Sequence, residues 1–227
     1  MAISTAPPLN FTTAPAAVAI RVLDVQFVLD ILSTNASVAR QIPGVHGPLN
    51  MSNVGIFGHS LGGATAGAAM LVDPRFTSGA NLDGSMIGPV VTSGLDSPFL
   101  LISSAIHNRT VDPTWQTFWD NLRGWRLELS VKGSVHVTFT DEAALYDDLK
   151  GLPGIPDLGN LFGTIPGARM LEIESAYLGA FFDQFLKVKE QVLLEGPSEA
   201  FPEVVFWPPE GSPKRDSGAY GIPQLLF

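Results

Sequence analysis

The segment Gly58-His59-Ser60-Leu61-Gly62 constrains this chain more than any other, because it sets a serine between glycines where one kind of hydrophobic pattern gives way to another. Upstream, Val54-Gly55-Ile56-Phe57 is a short apolar run that reads as a buried parallel strand, and downstream Ala64 to Val72 reads as a helix of small residues. A strand that turns straight into a helix at G-x-S-x-G lifts the serine hydroxyl onto a sharp, strained turn, the setting of an activated nucleophile. Glycine is expected at Gly58 and Gly62 because a side chain at either position collides with neighbouring backbone. The bare pattern is common in proteins. The flanking strand and helix give it weight against the plainer reading of a glycine-rich turn.

Composition bounds the alternatives. The 227 residues suit one domain with a sizeable core, and 45% hydrophobic with 15% charged residues exclude a disordered chain. A formal net charge of -9 repels phosphate backbones, so no nucleic-acid partner is expected, and anionic membranes offer no electrostatic help. The absence of cysteine removes disulfides and thiolate chemistry, and no apolar run reaches the roughly 18 residues of a membrane span. Four Asn-x-Ser/Thr sequons, at Asn10, Asn35, Asn50 and Asn108, point to a glycosylated, secreted parent protein. The start Met1-Ala2-Ile3-Ser4 has neither a charged nor an apolar leader region, so no secretory signal is expected in this chain itself.

Strand and helix patterns alternate along the chain. Pro15 to Leu32 puts Val18, Val22, Val25, Leu29 and Leu32 on one helical stripe, with Arg21, Asp24 and Asp30 elsewhere. Ala80-Asn81-Leu82, Phe99 to Ile102 and Trp125 to Val131 read as further strands, and Leu171 to Leu194 as a long helix carrying Phe181, Phe182 and Phe185. This alternation predicts an α/β fold with a mostly parallel sheet flanked by helices, in a single domain with its core at residues 14–195. Gly151 to Gly167 is an apolar Pro/Gly-rich loop, open to reading as a lid or as a covering loop, and residues 208–227 read as a surface tail.

A serine nucleophile of this fold needs an acid and then a histidine downstream of it. His46 precedes Ser60, and His59 sits on the turn itself, where its ring cannot swing onto the adjacent hydroxyl. His136 is the better of the remaining two, because Lys132-Gly133-Ser134-Val135-His136 lies just past the carboxyl end of a strong strand. His107 then reads as a cap or lining residue of its loop. Asp83, directly after a strand, and Asp112, in the loop after Ile102, both qualify as the acid. Each also has a structural reading: Asp112-Pro113 as a helix N-cap, Asp83-Gly84 as a turn.

Four segments, Gly58 to Thr65, Asp73-Pro74-Arg75-Phe76, Leu82-Asp83-Gly84 and Gly133 to Asp141, agree in order and spacing with one family. Over residues 14 to 145 the chain resembles the plasma-type platelet-activating factor acetylhydrolases, of the α/β-hydrolase superfamily, in a fungal or bacterial form. The resemblance implies a triad of Ser60, Asp83 and His136, and so favours Asp83 over Asp112. It also implies a serine esterase acting on short-acyl or oxidised phospholipids through an acyl-enzyme, with no metal or cofactor. The backbone amide of Leu61 is the expected oxyanion donor, aided by the positive end of the following helix.

Compared with that family the chain begins about halfway, with no strand or oxyanion loop upstream of the elbow. The N-terminal strands and the second oxyanion donor are therefore expected to be missing, which exposes a flat edge at Val54 to Phe57 for self-association. A general carboxylesterase, lipase or polyester hydrolase, and a catalytically impaired remnant, stay open as other readings. Trp115, Phe118 and Trp119 lie on one helical stripe that lines an acyl pocket, touches a lipid surface weakly, or packs in the core.

Overall fold

A computed structural model describes residues 13–45, 47 and 49–208. Among these residues one sheet contains β1 (Val54–His59), β2 (Phe76–Leu82), β3 (Phe99–Ser104), β4 (Arg126–Val131) and β5 (Val204–Phe206), in the spatial order β1-β2-β3-β4-β5. The first four strands pair in parallel and β5 runs antiparallel to β4. Helices α1 (Ala14–Thr34), α2 (Ala36–Ala39), α3 (Leu61–Val72), α4 (Val90–Ser93), α5 (Pro113–Asn121), α6 (Asp141–Leu149), α7 (Gly159–Phe162) and α8 (Gly167–Lys187) complete it. No helix among the described residues is long and apolar enough to cross a membrane.

Alternation along the strands feeds two cores. Phe99 and Leu101 pack with Val18 and Val22 of α1, Ala64 and Met70 of α3, and Trp115 and Phe118 of α5. Leu100 and Ile102 point to the other face, against Ile173, Tyr177 and Phe181 of α8. Every residue of β3 is buried, as a parallel strand covered on both faces requires.

Several expected boundaries move. The helix read as Leu171 to Leu194 begins at Gly167 and ends at Lys187, where Val188 adopts a left-handed φ of 53° and stops it. Leu194 reaches the core from a separate 3-10 turn, Val192–Leu194. β5 leaves no signal in the sequence, because three residues are too short to show a period. The loop at 151–167 contains α7, whose Phe162 is buried against Tyr146, whereas Leu152 and Leu161 are exposed. Residues 209–227 of the expected tail lie outside the described residues.

The α1 stripe packs as expected through Val18, Val22 and Leu29, but Ile20, Leu23, Phe27 and Val28 form a second, exposed apolar face. Among the described residues β1 is an edge of the sheet with no strand upstream of it.

Asp73, just after α3, ties the two ends of this layer together. It accepts Nε (2.9 Å) and Nη2 (2.6 Å) of Arg75 and Nε2 of Gln26 from α1 (3.3 Å). The Arg75 hydrogen bonds hold its carboxyl down at about 2. A depressed carboxyl stabilises the fold above its unfolded value of 3.8 and loses that contribution as pH falls through about 2. Asp73→Asn is therefore expected to lower the urea midpoint near neutral pH and to match the parent chain near pH 2. An equal difference at both pH values would contradict this.

Candidate active site

The turn after β1 follows the expected design. Ser60 has φ 57° and ψ −123°, outside the usual range for a residue with a side chain, and forms the N-cap of α3. Its amide donates to the Leu82 carbonyl at 2.9 Å, and its own carbonyl takes the amides of Gly63 and Ala64. A Cβ on Gly58 would stand 2.4 Å from the Gly62 carbonyl carbon, so glycine at 58 is required by the close return of the chain. The expectation for Gly62 is corrected: a Cβ there meets open space, so its own side chain would touch nothing. Leu61 is the first residue of α3, so no carbonyl one turn earlier in the helix is there to accept its amide.

Asp83 follows β2 in a second left-handed conformation, φ 56°. Three contacts hold it there. Its amide donates to Ile102 O at 2.8 Å. The buried Asn81 side chain clips the turn by donating to Gly84 O (2.6 Å) and accepting from Gly84 N (2.8 Å). The Ser104 amide, at the end of β3, donates to Asp83 Oδ1 at 2.6 Å. Gly84 must lack a Cβ, which would lie 2.0 Å from the Ser60 carbonyl oxygen.

His136 opens a 3-10 turn after β4, pinned by Thr138, whose hydroxyl accepts from Val135 N and donates to Phe162 O. Its Nε2 lies 2.9 Å from Ser60 Oγ and its Nδ1 lies 2.8 Å from Asp83 Oδ2. Ser60, His136 and Asp83 thus form a continuous hydrogen-bonded line across the carboxyl ends of β1, β4 and β2. A hydroxyl at one end and a carboxylate at the other let the imidazole take the serine proton while its charge is balanced.

His59 cannot reach Ser60, as expected, but it does contribute. Its Nε2 donates to the His136 carbonyl (2.9 Å), and the two rings sit 4.5 Å apart. Burial, then the neighbouring His136, lowers its basicity, which suits a neutral ring in that place.

The two candidate acids turn out to be linked. Asp112 is the N-cap of α5, accepting from the Thr114 and Trp115 amides, and its Oδ2 contacts His107 Nε2 at 2.9 Å. His107 Nδ1 in turn contacts Asp83 Oδ1 at 2.9 Å. Burial by itself raises Asp83; hydrogen bonds from His107, His136 and the Ser104 amide outweigh it and hold the carboxyl well below its usual range. Only Asp83 touches His136, so the geometry separates two acids that spacing left equal. His46 lies outside the described residues.

The aromatic stripe belongs to the core. Trp115 and Phe118 are fully buried, with Trp115 Nε1 donating to Gly84 O at 2.6 Å, and Trp119 stacks under the Arg109 guanidinium at 3.9 Å. Phe181 is likewise buried, with Phe182 and Phe185 packed against the same core.

A family model described as platelet-activating factor acetylhydrolase, isoform II, matches residues 28–151, more than half of the chain. The chain belongs to this family. It is 34% identical over 199 residues to a probable 1-alkyl-2-acetylglycerophosphocholine esterase of Arthroderma benhamiae, covering 82% of this chain and 48% of that relative. A platelet-activating factor acetylhydrolase of Cavia porcellus is 33% identical over 116 residues, covering 50% of this chain and 26% of the relative. Among solved structures, a ferulic acid esterase from Streptomyces cinnamoneus superposes with a TM-score of 0.72 at 34% identity, over 86% of this chain and 56% of that one. The fold is thus of the α/β-hydrolase type, and the chain spans about half the length of the fungal relative.

Proposed function

We propose that this acetylhydrolase-family chain carries the machinery of a serine esterase, with Ser60 as nucleophile, His136 as general base and acid, and Asp83 as the group that orients and balances His136. The unbroken line from Ser60 Oγ to His136 Nε2 (2.9 Å) and from His136 Nδ1 to Asp83 Oδ2 (2.8 Å) carries this reading. His136 takes the Ser60 proton as Oγ bonds to the ester carbonyl carbon, then returns it to the alcohol oxygen as the ester C–O bond breaks. Water, deprotonated by the same ring, attacks the acyl-enzyme, frees the carboxylic acid and restores Ser60. The Leu61 amide, the first of α3, is the donor assigned to the developing oxyanion in this reading, in the positive field of that helix end. No step calls for a metal or cofactor.

Phospholipids with a short or oxidised acyl chain, of the 1-alkyl-2-acetylglycerophosphocholine kind, are the substrate class supported by the fungal relative. The similarity to a ferulic acid esterase supports a second reading, an esterase for aromatic or general carboxylic esters. A series of acyl lengths on 1-alkyl-2-acylglycerophosphocholine beside methyl ferulate separates the two. Turnover that is best with acetyl and falls steeply with acyl length is the expected result. Preference for methyl ferulate, or indifference to the glycerophosphocholine, would overturn the phospholipid assignment.

The parent protein is proposed to be secreted and glycosylated. At Asn35, Asn50 and Asn108 the side-chain carbonyl accepts both the amide and the hydroxyl of the Ser or Thr two residues on, so each sequon is held in the same turn. Expression through a eukaryotic secretory route, followed by peptide mass mapping with and without endoglycosidase, tests this; unmodified asparagines at all three would count against it.

A further inference from the structure

His107 has a role that the proposed triad does not include. Each of its ring nitrogens lies 2.9 Å from a carboxylate oxygen, Nδ1 from Asp83 Oδ1 and Nε2 from Asp112 Oδ2. A neutral imidazole has one donor and one acceptor nitrogen, whereas ionised carboxylates only accept. Both contacts are satisfied together only if a proton sits on each nitrogen or if one carboxyl holds it instead. The carboxyl alternative is disfavoured by what else surrounds these acids. Asp83 already accepts from the Ser104 amide and from His136, and Asp112 Oδ1 accepts the Thr114 amide (2.7 Å) and faces the Thr114 hydroxyl (2.7 Å). Donors crowd both carboxyls, which favours their ionised forms.

We propose that His107 is a fixed imidazolium clamped between Asp83 and Asp112, a positioning residue that anchors the far side of Asp83 and limits the negative charge that Asp83 presents to His136. The role rests on the esterase reading for its effect on turnover, but the charge state of His107 stands on its own geometry. Burial alone would lower His107, yet its hydrogen bonds to the Asp112 and Asp83 carboxylates push it up to about 9. Its other neighbours fit a cation. Trp115 on α5 faces the ring at 4.5 Å between centroids, and Glu128 on β4 feels its charge while being neutralised chiefly by Arg109 of the same loop. His136 and His59, the other titratable groups near Asp83, lie beyond that carboxyl. Asp112 is held by α5, so the clamp couples the start of that helix to the carboxyl that faces His136.

The electrostatic consequence has a definite sign. With His107 charged, part of the Asp83 field is cancelled at His136; without it, His136 holds its proton more tightly. The variants His107→Gln and Asp112→Asn both remove the cation. Asn keeps the α5 cap, and its amide can donate to His107 Nε2, leaving the ring neutral with its hydrogen bonds intact.

The experiment pairs two readouts on the full chain. Ring nitrogen NMR of the Ser60→Ala protein at pH 7.5 is expected to show both His107 nitrogens protonated, and only one after Asp112→Asn. The acid limb of kcat/KM for p-nitrophenyl acetate is expected to move up by about one pH unit in each variant on the native Ser60 background. A purely structural role would lower kcat without moving that limb. A neutral His107 at pH 7.5, or an unmoved acid limb in folded variants, overturns the clamp. Absence of any Ser60-dependent turnover would sink the esterase reading instead, and the ring resonances would still decide the charge of His107.

Discussion

Asp83→Asn is expected to lower ester turnover roughly ten-thousand-fold with the fold retained, because an amide facing His136 Nδ1 no longer stabilises the imidazolium and permits the wrong tautomer. The Asn81 clip on Gly84 and the Ile102 carbonyl hold the backbone here, and the Ser104 amide can still donate to the side-chain oxygen of an asparagine at residue 83. Asp112→Asn is expected to cost little at a pH above the shifted acid limb, since Asp112 lies on the far side of His107 and does not touch His136. Steady-state kinetics on both variants, with circular dichroism to establish folding, checks this. A large loss in Asp112→Asn with a small one in Asp83→Asn would reverse the assignment of the acid.

Arg109→Ala has the largest expected effect on stability. Glu128 on β4 is fully buried, and Arg109, itself largely buried, meets it through Nε and through its own amide (3.1 Å). Removing one partner of a buried pair strands the other charge, at a cost of roughly 3 to 5 kcal/mol. The pH dependence has a clear sign. Burial raises the Glu128 carboxyl and Arg109 holds it back, so without Arg109 it rises further. A raised carboxyl destabilises the fold when ionised, so the variant's deficit is full near neutral pH and shrinks as acid protonates Glu128. Adding Glu128→Gln to Arg109→Ala is expected to recover part of the loss. Denaturant midpoints across pH test this, and a deficit that does not change with pH would refute it.

The elbow was legible because it is local: a strand, a sharp turn and a helix lie within about twenty residues, and each leaves its own pattern. His136 was legible by elimination and by its place after a strong strand. The acid was not legible from spacing, because Asp83 and Asp112 both follow strands; the family resemblance favoured Asp83, and the contact that separates the two is made to His136 across 53 residues of chain. The same limit hid the supporting groups. Asn81, the Ser104 amide, His59 and His107 act through distances between different loops, and no spacing rule reports those. His107 could have been flagged only as a histidine between two candidate acids. The helix end at Val188 was missed because a left-handed residue with a branched side chain carries no stop signal, unlike glycine. Trp115 and Phe118 had a helical stripe that fits a pocket or a core equally well, and burial decided for the core.

The aligned Ser60, His136 and Asp83 are expected to form working chemistry in this chain. Hydrolysis of p-nitrophenyl acetate by the purified 227-residue protein, beside its Ser60→Ala variant and with both shown to be folded, tests it most directly. Turnover in the unsubstituted chain that vanishes with Ser60 is expected. A folded parent chain that hydrolyses the ester no faster than Ser60→Ala would contradict it.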